Sequence, residues 1–90
     1  MGPVADRLKA KLEAAFRPQT LEIVDDSHRH KGHAGARSEG ESHFTVTIVT
    51  DAFAGLGRVE RQRRVYAALA EELKGPVHAL ALKALAPGEA

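Results

Sequence analysis

The segment SHFTVTIVTD, residues 42–51, alternates apolar and polar side chains with the period of two that is typical of a half-buried β-strand. One face carries Phe44, Val46 and Ile48, and the other carries His43, Thr45 and Thr47. Many of these side chains are β-branched or aromatic, and such side chains pack well on a pleated surface. The segment therefore predicts a strand with one face on the core, and the rest of the chain must cover that face.

Upstream of this strand, the sequence predicts a helix and a second strand. Residues 3–16 carry an apolar side chain at every fourth position, namely Val4, Leu8, Leu12 and Phe16. Pro3 suits the first turn of a helix, and Pro18 ends the pattern. The next segment, TLEIVDD at residues 20–26, alternates apolar and polar residues and therefore predicts a strand.

Downstream of the strand, residues 59–75 have the spacing of an amphipathic helix that covers the sheet. The apolar face of this helix is predicted to contain Val59, Tyr66, Leu69 and Leu73. Arg61 and Arg64 are predicted to project from the opposite face. Gly75 and the proline that follows it supply the stop signal of the helix.

The last periodic segment, HALALKAL at residues 78–85, contains alanine, leucine and lysine, which all favour helices. Pro76 precedes it and Pro87 follows it, so the segment is short, and Leu80 and Leu82 alternate with smaller residues. We therefore predict a third strand. The same alternation gives His78 the parity of Leu80 and Leu82, so one interpretation of His78 is a hydrogen-bonded histidine at the edge of the core.

The predicted element order is α-β-β-α-β in one α+β domain that spans residues 1–90. A strand-helix-strand crossover favours parallel pairing of the last two strands, and the first two are expected to be antiparallel. The prediction is a three-stranded mixed sheet with both helices on one face. Residues 27–42 form a long histidine-bearing loop between the first two strands, and residues 86–90 are predicted to be a flexible tail.

The composition excludes several classes of function. The chain has no cysteine, which rules out thiol catalysis and a metal site built from its own thiolates. Thirteen basic and twelve acidic side chains give a formal charge of +1, so there is no global attraction to nucleic acid or to an anionic membrane. No signal sequence or apolar run of membrane-spanning length is visible. A cytoplasmic protein is expected, and no catalytic constellation supports an enzyme.

Three stretches, in this order and at these intervals, resemble the BolA family across nearly the whole chain: DDSHRH, ESHFTVTIVTDAFAG and RQRRVYAALAEELKGPVHALALKALAP. The resemblance implies a fold similar to the class II KH domain, in agreement with the element order. It also implies pairing with a monothiol glutaredoxin in iron-sulfur cluster assembly and trafficking, and transcription regulation for some members. The family usually shows Arg-His-Arg where this chain has Gln62 between two arginines. Helical spacing places Gln62 on the apolar face, and we interpret it as structural.

The resemblance further implies a 2Fe-2S cluster shared with the glutaredoxin and glutathione. A glutaredoxin cysteine and a glutathione thiolate would hold one iron, while His78 and one loop histidine would hold the other, since two histidines on one iron are compatible with such a cluster. Aligning DDSHRH with the family selects His30, whereas aligning GHAG selects His33. His28 and His43 are predicted to be solvated bystanders. The isolated chain is expected to be a monomer without a cofactor.

A second hypothesis is a KH-like regulator that binds DNA. Four arginines cluster at the start of the second predicted helix: Arg58, Arg61, Arg63 and Arg64. Arginine side chains and helix amides can both contact phosphates. KH domains use a GxxG loop between helices, but the GxxG of this chain, residues 32–35, falls between two predicted strands. The four arginines are therefore candidates for contact with either a partner protein or nucleic acid.

Overall fold

The computed structural model of the chain describes residues 2–26 and 42–89. The helices are α1 (Pro3–Phe16), α2 (Arg58–Ala68) and α3 (Ala70–Lys74), and a 3-10 turn spans Asp51–Phe53. The strands are β1 (Thr20–Asp25), β2 (His43–Val49) and β3 (Ala79–Leu85). All three predicted strands and both predicted helical regions are present, so the predicted α+β class is confirmed.

The three strands form one mixed sheet in the order β1-β2-β3. Strands β1 and β2 are antiparallel, with Leu21 opposite Ile48, and strands β2 and β3 are parallel, with Phe44 opposite Leu80. The central strand β2 begins immediately after Ser42, and β3 begins beside it at Ala79. The amino-terminal ends of these two parallel strands therefore lie next to each other.

The core fills the space between one face of the sheet and the helices. Its fully buried side chains include Leu12 from α1, Val46 and Ile48 from β2, Phe53 from the 3-10 turn, and Leu69. The rings of Phe16 and Phe53 pack with their centroids 5.2 Å apart. The apolar alternation of β2 thus faces the helices as predicted.

The second helical region differs from the prediction in two respects. Leu69 has φ −106° and ψ 18°, so the region is divided into α2 and α3 at this buried residue. Val59 was expected on the apolar face but is 61% exposed, because it lies in the first turn of α2, ahead of the part that packs on the core. Val65 takes the buried position in α2 instead.

A buried glutamate joins α1 to α3. Glu72 is 3% exposed, and its carboxylate accepts a hydrogen bond from the Lys11 Nζ at 2.9 Å and lies 3.8 Å from the Arg7 Nε. The hydrogen bond to Glu72 raises the pKa of Lys11, the charges of Glu72 and Glu71 act in the same direction, and partial burial opposes them. The two helices are therefore held together by charge as well as by apolar packing.

The end of the chain is folded back onto α2, in contrast to the flexible tail predicted for residues 86–90. The Glu89 carboxylate forms two hydrogen bonds with the Arg61 guanidinium, at 2.5 and 3.0 Å, and accepts a third from the backbone N–H of Ala86 at 2.9 Å. Ala86 is buried in the core. Residues 86–89 thus form a turn with a defined position on the domain, and Ala90 lies outside the described residues.

Candidate functional site

His78 presents an exposed imidazole on a fixed backbone. Its N–H donates to the Ser42 carbonyl at 2.7 Å, and the N–H of Ala79 donates to the same oxygen at 3.2 Å. Val77 precedes it and is buried in the core. The side chain of His78 is exposed, which disagrees with the interpretation of His78 as a histidine at the edge of the core. The residue precedes β3, so the strand alternation does not yet apply to it.

His43 lies beside His78. The two imidazole rings are stacked with their centroids 6.2 Å apart and an angle of 24° between their planes. The Nδ1 of His43 is hydrogen-bonded to the Oγ of Ser42 at 2.9 Å, and Ser42 is fully buried. The ring of His43 is therefore half-buried and in contact with its neighbours, because the parallel pairing of β2 with β3 brings it beside His78. That His43 is a bystander in metal binding stays a prediction.

The predicted loop ligands, His30 and His33, lie outside the described residues, as does His28. Their roles stay predictions. Within residues 2–26 and 42–89, no group of three or more histidine, cysteine, aspartate or glutamate side chains is arranged to hold a metal ion. A metal at the His43–His78 pair would therefore need further ligands from elsewhere, such as water, the loop or another molecule.

The four predicted contact arginines of α2 differ in their accessibility. Arg58, Arg63 and Arg64 are exposed, and Arg64 pairs with Glu60 one turn earlier at 3.1 Å. The side chain of Arg61 is only 12% exposed. Three of these arginines can thus be reached from solution, and the fourth is largely covered.

Arg61 instead joins three parts of the chain. Its Nε donates to the carbonyl of Leu56 at 2.9 Å, its guanidinium donates to the carbonyl of Ala84 at 3.1 Å, and Glu89 neutralises its charge. The guanidinium also lies 6.0 Å from the centre of the Phe53 ring. The prediction that Arg61 projects from the outer face of the helix is wrong, and this residue has a structural role.

A groove of about 610 Å³ runs between α2 and β3. Its lining includes the apolar side chains of Leu56, Leu80 and Leu82, the ring of Tyr66, and the basic residues Arg58 and Lys83. Gln62 also lines the groove but is exposed, so it lies at the margin of the apolar face and not within it.

The histidine pair, His43 and His78, lies at the start of β3. The arginine row, which consists of the four arginines of α2 named above, begins near the other end of β3. Helix α2 runs antiparallel to β3, since Arg61 near its start reaches Ala84 while Tyr66 donates to the Leu80 carbonyl at 3.5 Å. His78 precedes Ala84 by six residues, which corresponds to about 20 Å along a strand. The two surfaces can therefore be tested separately by substitution.

A family model described as BolA-like protein matches residues 12–89, which is most of the chain. The chain belongs to the BolA family. This BolA-like chain is 45% identical to BolA-like protein 1 of Homo sapiens over 89 residues, covering 99% of this chain and 62% of the human protein. It is 49% identical to the DNA-binding transcriptional regulator BolA of Escherichia coli strain K12 over 79 residues, covering 88% and 71% of the two chains.

The fold of this BolA-like chain is similar to solved structures of the family. The BolA domain of SufE1 from Arabidopsis thaliana matches with a TM-score of 0.89 and 41% identity, covering 100% of this chain and 99% of that one. In the described part of the chain, no helix has both the length and the apolar character needed to cross a membrane.

The donor set of this BolA-like chain fits one half of a 2Fe-2S centre. A chain without cysteine can offer such a cluster only nitrogen or oxygen ligands, and paired histidines on one iron are a known arrangement. His78 has an exposed ring with no hydrogen-bond partner within the described residues, so desolvation would not oppose its use as a ligand. His78 could therefore hold a metal ion, and the remaining ligands of that ion would have to come from elsewhere.

Proposed function

We propose that this chain is a BolA-like adapter that pairs with a monothiol glutaredoxin and binds one iron of a shared 2Fe-2S cluster through histidine, in iron-sulfur cluster assembly, trafficking or iron sensing. The observation that carries the proposal is the exposed imidazole of His78, held on a backbone that is hydrogen-bonded to Ser42, with a second imidazole beside it. Family membership supports the choice of partner.

The ligands divide naturally between the two proteins. A monothiol glutaredoxin would supply one cysteine thiolate, and its bound glutathione would supply a second. This chain would supply His78 and one further imidazole, for which the sequence offers His30 and His33. Neutral imidazole is a good ligand for iron, so the centre would be complete without any cysteine from this chain.

The surface features favour an adapter over an enzyme. The imidazole of His78 lies at the end of two strands on an exposed surface, where another protein can reach it, and not inside a cavity. Among the described residues, Glu72 is the buried carboxylate, and it is already bound to two cations of α1. Substrate activation would require a water-excluding pocket around the reacting groups, and neither His43 nor His78 lines the groove beside α2.

The proposal is tested by mixing the chain with a cluster-loaded monothiol glutaredoxin and measuring the product by native mass spectrometry and visible circular dichroism. The expected product contains one copy of each protein, one 2Fe-2S cluster and one glutathione, with a spectrum unlike that of the glutaredoxin homodimer. A mixture that retains the homodimer mass and spectrum would contradict the proposal.

The second candidate function is binding of DNA, which is favoured by the name of the Escherichia coli relative, a DNA-binding transcriptional regulator. Arg58 and Arg63 are exposed and form no ion pair within the described residues, so both are available for phosphate contacts. Arg61 is not available, and Glu60 partly neutralises Arg64. The arginine row is therefore weaker as a DNA-binding surface than the sequence alone indicates.

A further inference from the structure

The groove between α2 and β3 follows the outer edge of the sheet. Strand β3 is the last strand in the order β1-β2-β3, so one of its edges faces away from β2. The consecutive residues 82–85 of β3 all line the groove, although successive side chains of a strand point to opposite faces. A groove lined by consecutive residues of a strand runs along its edge. The backbone of β3 is therefore part of the groove wall.

Alternate residues of β3 direct their backbone groups into this groove. The carbonyl of Leu85 accepts the N–H of Thr50, the residue after β2, at 3.0 Å. The odd-numbered residues of β3 therefore bond to β2, and the even-numbered residues point the other way. The residues whose N–H and carbonyl face the groove are Leu80, Leu82 and Ala84.

The edge offers the groove more hydrogen-bond donors than acceptors. The carbonyl of Leu80 already accepts from the Tyr66 hydroxyl at 3.5 Å, and the carbonyl of Ala84 accepts from Arg61 at 3.1 Å. Within the described part of the chain, the carbonyl of Leu82 has no such partner. Three N–H groups thus accompany one free carbonyl. An added β-strand needs both donors and acceptors along the edge, so this edge favours a ligand rich in acceptors.

The charges of the groove also favour an anion. Arg58 and Lys83 are exposed and form no ion pair with the residues that the structure describes. Glu89 is the acidic residue of the lining, and Arg61 neutralises it. One oxygen of the Glu89 carboxylate accepts from both the guanidinium and the backbone N–H of Ala86. The chain itself therefore shows that a carboxylate is bound by a backbone N–H and a cation at this end of the groove.

The groove has a charged end and an apolar end. Arg61 bonds to Ala84, and Arg58, almost one helical turn earlier, belongs to the same end. Tyr66 bonds to Leu80 at the other end. Ala84 and Leu80 are four residues apart in sequence, which corresponds to roughly 13 Å along a strand. The charges and the apolar lining are thus separated along the groove.

The size and lining of the groove suit a small aliphatic molecule. Its volume of about 610 Å³ lies within the range of about 300–1,000 Å³ that is typical of small-molecule sites. The side chains of Leu56, Leu80 and Leu82 are half-buried and line it, whereas Tyr66 is its one aromatic residue. Nucleobases bind by stacking on aromatic side chains. A saturated chain therefore fits this lining better than a base does.

We infer that the groove binds a small amphipathic acid, namely a saturated aliphatic chain that ends in a carboxylate. The chain lies on Leu80, Leu82 and Tyr66, and the carboxylate pairs with Arg58 and Lys83. The inference goes beyond the proposed function, because neither histidine of the described residues lines the groove and no cluster or glutaredoxin takes part.

The test is a titration of the full-length chain with sodium decanoate, below its micelle-forming concentration, followed by two-dimensional nitrogen-15 NMR. Saturable shifts are expected at the backbone amides of Leu80, Leu82 and Ala84. Two probes separate the parts of the ligand: acetate has the carboxylate without the chain, and decyltrimethylammonium has the chain with the opposite charge. Each should bind at least about tenfold more weakly than decanoate, since each lacks one of the two contacts.

Substitution of the cations locates the carboxylate. Arg58→Gln and Lys83→Gln should each weaken decanoate binding by about threefold, the usual size for an exposed ion pair, and the double variant by about tenfold. Arg63→Gln is the matched control, because Arg63 is exposed on the same helix and does not line the groove. It should leave the affinity unchanged. Circular dichroism should show that every variant is folded.

Four outcomes would overturn the inference. Decanoate could produce no saturable shifts along β3, or decyltrimethylammonium could bind as tightly as decanoate, which would remove the preference for an anion. Arg63→Gln could weaken binding as much as Lys83→Gln, which would indicate general charge attraction. A peptide of alternating valine and glutamate could bind more tightly than decanoate, which would assign the edge to an added strand. None of these outcomes bears on pairing with a glutaredoxin, so the two proposals fail separately.

Discussion

At the scale of single residues, Glu72 shows how this small domain uses one buried charge. The residue is 3% exposed, and its carboxylate has two cationic partners. Both lie on α1, at 61 and 65 residues from Glu72 in sequence. The partners, Lys11 and Arg7, keep contact with solvent, so only the acidic half of the network is desolvated. Loss of that carboxylate charge should therefore weaken the contact between α1 and α3 without leaving a buried cation.

We predict that Glu72→Gln lowers the free energy of unfolding by about 1–2 kcal/mol, the usual range for a lost charged hydrogen bond. Urea unfolding followed by circular dichroism measures the effect. Glu71→Gln is the matched control, because Glu71 is the adjacent residue, lies 3.6 Å from Lys11 and is exposed. An equal loss in both variants would show that the buried position of Glu72 does not matter.

The two histidines show what residue patterns can and cannot reveal. The alternation along β2 correctly predicted that His43 lies on the face of the strand away from the core. The family resemblance identified His78 as a candidate ligand. The contact between them depends on the register of β2 against β3, which sets His43 opposite Ala79. Local sequence patterns do not specify the register of two parallel strands separated by a helical crossover. The stacking of His43 on His78 was therefore not predicted, although a histidine at the start of each of two predicted neighbouring strands was a usable signal.

At the scale of secondary-structure elements, Arg61 joins the start of α2, the end of β3 and the turn that follows it. The hydrogen bond to Arg61 is the largest cause that lowers the pKa of Glu89 to about 2, and the backbone N–H of Ala86 acts in the same direction. Because the folded pKa is below the ordinary value of 4.5, ionised Glu89 stabilises the fold above that pH. This contribution is lost as the pH falls from 4.5 toward 2.

We predict that wild type is more stable than Glu89→Gln at neutral pH and that the difference is constant down to about pH 5. Below that pH the difference should shrink and vanish near the folded pKa of about 2. Urea unfolding of both proteins at a series of pH values measures it. Glu60→Gln, which removes the exposed partner of Arg64, serves as a comparison and should give a smaller difference. A wild-type advantage that persists unchanged at pH 2.5 would contradict the assignment.

The position of the Arg61 side chain could not be predicted from helical periodicity. The helical period correctly indicated that α2 packs on the sheet, but it assigned Arg61, with Arg64, to the solvent face. The methylene groups of an arginine can pack on apolar surface while its guanidinium donates hydrogen bonds to backbone carbonyls. Arg61 donates such hydrogen bonds, and its guanidinium lies near the Phe53 ring. Glu89 provides the carboxylate partner of Arg61, and the five residues 86–90 have no periodicity that would predict where Glu89 lies.

At the scale of the whole molecule, the element order and the sheet followed from the sequence because each strand and helix had its own periodic signal and its own stop residues. The histidine loop had no such signal, and residues 27–41 lie outside the described residues, so the choice between His30 and His33 stays a prediction. The fold separates the histidine pair from the arginine row along β3. The formal charge of +1 is close to zero, so the net charge does not attract partners to either surface over a long range.

We predict that the isolated chain binds double-stranded DNA weakly and without sequence preference, and that the affinity falls steeply with salt. Replacing Arg58 and Arg63 by alanine should reduce the slope of log affinity against log salt by about 2, one for each lost phosphate contact. Fluorescence anisotropy over a range of salt concentrations measures the slope. A tight, sequence-selective complex at physiological salt that is lost in this double variant would favour the regulator over the adapter.

The central claim is that His78 supplies a nitrogen ligand to a cluster shared with a glutaredoxin. The most direct measurement is pulsed electron paramagnetic resonance of the reduced mixed complex, which detects coupling between the cluster and a coordinated imidazole nitrogen. We predict that this coupling is present with wild type and is lost with His78→Ala, while circular dichroism shows that the variant remains folded. An unchanged nitrogen coupling in the folded His78→Ala complex would contradict the account.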